Sequence, residues 1–189
     1  MNSSRWAALF ILVTAVVVSA QVPANKEPHH RTVFENSQFR ILDVSIPPGQ
    51  MTLEHSHDLD IVTVSMSNGT DTKTQSPGQP WSEIRPRRPL GHVETSDYSG
   101  KVTSHRVETV GTTAYNLFAV ENLKKSGWSA TPALSAAGTT LSKESTSFRV
   151  YNIALAKERT QTSHTHAVPT VVVLLNGKVM SEGPDEKAK

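Results

Sequence analysis

Gly49-Gln-Met-Thr-Leu-Glu-His55-Ser56-His57-Asp-Leu-Asp-Ile61-Val62-Thr63-Val64-Ser65-Met66-Ser-Asn68-Gly69 packs a turn, a histidine pair and a strand into one short run. Pro47-Pro48-Gly49 breaks the chain before it, and Asn68-Gly69 supplies a hairpin turn after it. Between these breaks Ile61 to Met66 is rich in β-branched residues and reads as a strand. On an extended chain, positions two apart share a face, so His55 and His57 project together and Ser56 points away. The same alternation is legible upstream at Phe39, Ile41, Val44 and Ile46, and downstream at Val102 to Val107 and Tyr115 to Val120. No segment sustains a 3.6-residue apolar period beyond about two turns. The chain reads as all-β.

Working outward, one segment is written twice. Glu35-Asn-Ser-Gln-Phe-Arg-Ile-Leu-Asp-Val44 recurs 109 residues later as Glu144-Ser-Thr-Ser-Phe-Arg-Val-Tyr-Asn-Ile153. At that spacing His55-Ser56-His57 falls on His164-Thr165-His166, and Val62 and Val64 fall on Val171 and Val173. Asn68-Gly69 reappears as Asn176-Gly177, one residue out of register. The second copy is incomplete, because little sequence follows His166. Its strands are expected at Phe148 to Leu155 and Val171 to Leu175, either packed on the first unit or paired with another chain, since open strand edges associate. The resulting division is 21–32 as a flexible polar lead, 33–122 as the first unit, 123–140 as a linker, 141–178 as the partial repeat and 179–189 as a polar tail.

Residues 1–20 stand apart. Arg5 precedes an apolar run from Trp6 to Val18, which ends in Ser19-Ala20. This is the pattern of a secretory signal peptide, shorter than the roughly 20 residues that span a bilayer. The expected product is secreted or periplasmic, with no membrane span after cleavage. Cysteine is absent, so disulfides, thiolate metal sites and thiol nucleophiles are excluded. A formal charge of +2, from 19 Lys+Arg against 17 Asp+Glu, lacks the clustered positive charge a nucleic-acid binder needs. The expected partner is a small molecule, with homo-oligomerisation as a further possibility for the partial repeat.

Two imidazoles on one strand face suit a divalent transition metal: iron, manganese, nickel, copper or zinc. A third ligand is required. Glu54, Asp58 and Asp60 are near in sequence, but their parity places them opposite the histidines unless a bulge intervenes.

Gly49, five residues, His55-Ser56-His57 and a later Gly69 resemble the first motif of the cupin superfamily. His105-Arg-Val-Glu-Thr109 resembles its second, with Thr109 where asparagine is usual. The resemblance covers residues 33–122 and, as a half-copy, 144–177. It implies a cupin/jelly-roll β-barrel followed by a partial second cupin repeat. It implies His55, His57 and His105 as metal ligands, with His164 and His166 as weaker candidates. The motif glutamate is missing: Ile61 or Val62 stands in its place, and Thr170 or Val171 in the half-copy. Parity turns Ile61 inward with the histidines, so a hydrocarbon replaces a ligand oxygen. A metal held by neutral imidazoles alone keeps its full charge and favours anionic ligands such as enolates or carboxylates.

Three functions follow from the resemblance: a metal-dependent enzyme with dioxygenase-like chemistry, a non-catalytic binding module, and a structural barrel that has lost its metal. Catalytic residues are not named by the sequence; Glu54 and His92 are the available acid–base groups. Arg85-Pro-Arg-Arg88 reads first as a solvated basic loop and second as a holder for an anionic substrate at a barrel mouth. His29-His30 reads as part of an unstructured lead, and Trp81 and Trp128 as core or rim packing.

Overall fold

A computed structural model describes residues 21–125, 132–159, 161, 166 and 168–178. The signal-peptide reading, Trp128, His164 and the tail fall outside the described residues. Eleven strands follow in order: β1 (Val22–Pro23), β2 (His30–Glu35), β3 (Phe39–Ile46), β4 (His55–His57), β5 (Ile61–Ser65), β6 (Thr72–Gln75), β7 (Val93–Ser96), β8 (Thr103–Thr109), β9 (Tyr115–Asn122), β10 (Thr139–Glu144) and β11 (Arg149–Ile153). A single 3-10 turn, Ala24–Lys26, is the only helical element among the described residues, and none is long and apolar enough to cross a membrane.

The protein is all-β, a jelly-roll barrel of two facing sheets. One sheet has the order β1-β4-β8-β6, and the other β2-β3-β9-β5-β7. Alternation sets what lies between them. Leu42, Val44 and Ile46 from β3, Ile61 from β5, and Leu117 and Ala119 from β9 form the interior cluster, with Tyr98, Val107 and Tyr115 against it. The opposite faces of β5 and β9 carry Val62 and Val120, which Val93 of β7 joins. Burying these chains drives the fold, at about 1.5–3 kcal/mol per fully buried aliphatic side chain. The turn at Asn68-Gly69 needs its glycine twice over. Gly69 has φ +65°, and a Cβ there would come within 2.5 Å of the Arg88 carbonyl oxygen.

The lead belongs to the fold, contrary to the sequence reading. Val22–Pro23 pairs in parallel with His55–Ser56 of β4, and Ala24, Glu27 and His30 are buried. An isolated polar segment gives no signal of this, because its partner strand is remote in sequence.

Residues 139–153 form a hairpin of β10 and β11, so the first of its strands begins inside the expected linker. Phe148, Val150 and Val171 pack on the outer cluster of the barrel. Asp60 anchors the hairpin: its carboxylate accepts from the Ser99 amide at 2.7 Å and from the Ser147 hydroxyl. The expected strand at Val171 to Leu175 is not formed; those residues run without ladder pairing. Pro169 lacks a donor, and Val171 already buries its side chain on the barrel.

Candidate metal centre

β4 and β8 run antiparallel with His55 opposite His105 and His57 opposite Thr103. A directly opposed pair shares a sheet face, and His57 joins it by the two-residue period. All three imidazoles therefore enter the space between the sheets. Their ring centroids stand 4.7 Å (His55–His105), 5.0 Å (His55–His57) and 4.9 Å (His57–His105) apart. One ring nitrogen from each lies within 4.8 Å of the others. His55 and His57 are buried and His105 is half-buried.

The rings are prepared as neutral donors. Burial pushes the pKa of His57 down to about 2, aided by His105 and His55. Burial likewise pushes His105 down to about 4, aided by His55 and by Arg85. His55 is lowered by burial, against the opposing effect of its bond to Leu53 and of Glu27. His55 Nδ1 lies 2.9 Å from the Leu53 carbonyl oxygen. A carbonyl only accepts, so Nδ1 carries the proton and Nε2 keeps a lone pair for a ligand. His57 Nδ1 is buried without a hydrogen-bond partner. An orphaned buried nitrogen beside two other imidazoles is what a metal-binding donor set looks like before the metal arrives. The residues fit a divalent transition ion held by three nitrogens with further positions open.

Two residues outside the motifs brace this set. Glu27, buried, accepts from the Leu53 amide at 3.1 Å through Oε1 and from the His29 amide at 2.6 Å through Oε2. Leu53 thus receives Glu27 on its N–H and His55 on its C=O. His30 lies edge-on to His55, with centroids 4.7 Å apart. It donates Nδ1 to the Ala24 carbonyl at 2.9 Å and has Nε2 3.8 Å from Glu27 Oε2. Burial, with His55 next, drives its pKa down to about 3. The lead reading of His29-His30 missed this, and nothing local in the sequence marks it. Tyr98 stacks on His57 at 5.1 Å.

No carboxylate joins the triad among the described residues. Ile61 lies in the apolar interior as its parity requires. Its cross-strand neighbour Glu121 is held by Arg40 at 2.7 Å. Glu54 is half-buried next to His55 without entering the group. His92 is placed elsewhere, with Nε2 2.5 Å from the Arg88 guanidinium and 3.9 Å from Glu94. His166 is exposed and does not converge with the triad. Trp81 is half-buried rather than core, with Lys73 Nζ 4.8 Å and Arg106 Cζ 5.1 Å from its ring centroid.

No family profile matches the sequence, and no curated protein matches it. Among solved structures, a cupin domain from Bordetella pertussis is similar at 22% identity and TM-score 0.41, over 49% of this chain and 90% of that one. An uncharacterized conserved protein with a double-stranded beta-helix domain from Klebsiella pneumoniae gives 17% identity and TM-score 0.38, over 53% and 80%. A Cupin 2 conserved barrel domain protein from Salinispora arenicola gives 19% identity and TM-score 0.36, over 53% and 75%.

Proposed function

We propose that this chain is an exported cupin-barrel protein that holds one divalent transition metal on His55, His57 and His105 and binds or transforms a small anionic molecule there. The observation that supports it is the convergence of three neutral, mostly buried imidazoles, one with an unpaired nitrogen. When bound, such a metal supplies Lewis acidity and, if redox-active, electron transfer. The chain's own residues orient His55 through Leu53 and Glu27, keep the imidazoles unprotonated by burial, and exclude bulk water with the interior aliphatic cluster. A general base is not among the assignments, because neither Glu54 nor His92 joins the triad.

Metal analysis of the purified protein tests the proposal. About one equivalent of transition metal, lost in His105→Ala, is the expected result. Metal below roughly a tenth of an equivalent after incubation with iron, manganese, nickel, copper or zinc in turn removes the proposal. That outcome selects the alternative of a structural or metal-free binding barrel, for which the hydrocarbon at Ile61 in place of the motif carboxylate is the supporting observation.

A further inference from the structure

The Arg85 backbone is tied into the barrel wall, and its side chain is exposed at the edge of that wall. It forms an isolated bridge to Thr72, with Arg85 N donating to Thr72 O at 2.7 Å and Thr72 N to Arg85 O at 3.0 Å. Arg87 N is tied to Asp71 at 2.9 Å, and the Arg88 backbone lies directly over Gly69. The segment is therefore held at three points, Arg85, Arg87 and Arg88.

Register sets the direction of the Arg85 side chain. Thr72 stands opposite Thr109 on β8, and both are buried. Thr109 shares its strand face with Val107 and His105 by the two-residue period. Arg85, opposed to Thr72, is on that face too, the one that carries His105 into the barrel. From the other sheet Tyr115 packs against the interior cluster. Burial holds the Tyr115 hydroxyl above its ordinary pKa, while Arg88 and Arg85 act from nearby in the opposite direction.

The charges on this face do not balance. Arg88 is paired with Glu94, and Arg40 with Glu121 and Glu35. Arg85 has no carboxylate partner among the described residues, and the triad lacks the motif carboxylate. A divalent ion on the triad together with the Arg85 guanidinium would carry three positive charges against the one negative charge of Glu27, the carboxylate that acts on His55, so this side of the barrel keeps excess positive charge. A guanidinium presents two parallel N–H donors that match a carboxylate, and a metal takes a further oxygen.

Building on the metal-centre reading, we propose that Arg85 is the anion anchor of the barrel, receiving the carboxylate of a small organic acid whose second oxygen donor turns toward the histidine triad. The ligand class is a carboxylate with an adjacent hydroxyl or carbonyl oxygen. Arg85 would then decide specificity for anionic over neutral molecules, while taking no part in holding the metal.

Isothermal titration with glycolate as probe, and glycolamide as its neutral counterpart, tests this on the cobalt(II)-loaded and the metal-free protein. Glycolate is expected to bind the loaded protein and glycolamide to bind far more weakly. Arg85→Ala is expected to weaken glycolate binding roughly tenfold or more, with Arg85→Lys restoring only part of it. Arg88→Ala serves as the control for general loss of positive charge and is expected to change glycolate affinity by less than about threefold. Cobalt content should be the same in all four proteins. Equal glycolate affinity in wild type and Arg85→Ala, equal binding of glycolate and glycolamide, or no glycolate binding at all overturns the anchor. Absence of cobalt uptake removes the metal reading separately. Arg85-dependent glycolate binding to the metal-free protein then still supports the anchor, and its absence overturns it.

Discussion

Glu27 shows how a single residue far from any motif can matter to the site. Its carboxylate holds the Leu53 amide, and the Leu53 carbonyl holds His55 Nδ1. Partners of this kind behind a metal ligand typically govern affinity by 10- to 100-fold. Glu27→Gln is expected to weaken metal binding by roughly that factor, read by competition with a chromophoric chelator. Unchanged affinity would show that His55 keeps its orientation without help. The buried histidines also give a pH dependence of definite sign. His30 and His57 have an ordinary pKa of 6.5 but titrate at about 3 and about 2 in the folded protein. As pH falls through 6.5 the unfolded chain takes up these protons and the folded chain does not. Stability of the metal-free protein is therefore full above pH 6.5 and declines as the pH drops toward 3. Each of the two contributes about 2 kcal/mol of that loss by about pH 5. Urea denaturation at a series of pH values measures it, and His30→Leu should flatten the slope whatever it does to the absolute stability.

Elements carry different information. The strands containing Phe39 to Ile46 and Ile61 to Ser65 are legible because their β-branched residues alternate between proline and glycine breaks. The histidine pair was legible for the same reason: a strict period of two places His55 and His57 on one face. The pairing of His105 with them came from the family resemblance, since register between remote strands is not written in either strand alone. β1 was not legible, because two residues pairing with a remote strand have no periodicity to show. Val171 to Leu175 was misread because a β-branched run fits an unpaired packed segment as well as a strand. The β10–β11 hairpin covers the outer face of the barrel through Phe148 and Val150. Phe148→Ala is expected to cost about 2 kcal/mol, less than for a fully buried phenylalanine, while metal content stays constant. Chemical denaturation with parallel metal analysis checks both. Gly69→Ala forces a left-handed residue and a backbone collision with Arg88. A loss of about 1–3 kcal/mol is expected, together with weakened glycolate binding as the Arg85 segment shifts.

For the whole molecule, the all-β class was inferable from alternation and the barrel from the family resemblance, while the internal repeat misled in part. The Phe-Arg similarity at residues 39–40 and 148–149 corresponds to real strands or their edges in both places. Yet the second set covers the outside of the first and does not begin a separate barrel among the described residues. Metal binding to the folded state alone must stabilise the whole, by about 2.7 kcal/mol at a hundredfold excess over the dissociation constant. Adding EDTA to the loaded protein should lower its melting temperature by several degrees, and His105→Ala should show no response to EDTA.

The parallel pairing of Val22–Pro23 with His55–Ser56 has a practical consequence. Val22 N donates to the Glu54 carbonyl at 3.1 Å, and the Gln21 side chain reaches Ser104 beside His105. The first described residues are thus stitched to both histidine-bearing strands. An affinity tag fused directly ahead of Gln21 would press on the scaffold of the triad, and the protein tagged after residue 189 serves as its comparison. Comparing cobalt uptake in the two tagged forms would show how closely the state of the amino end governs assembly of the site.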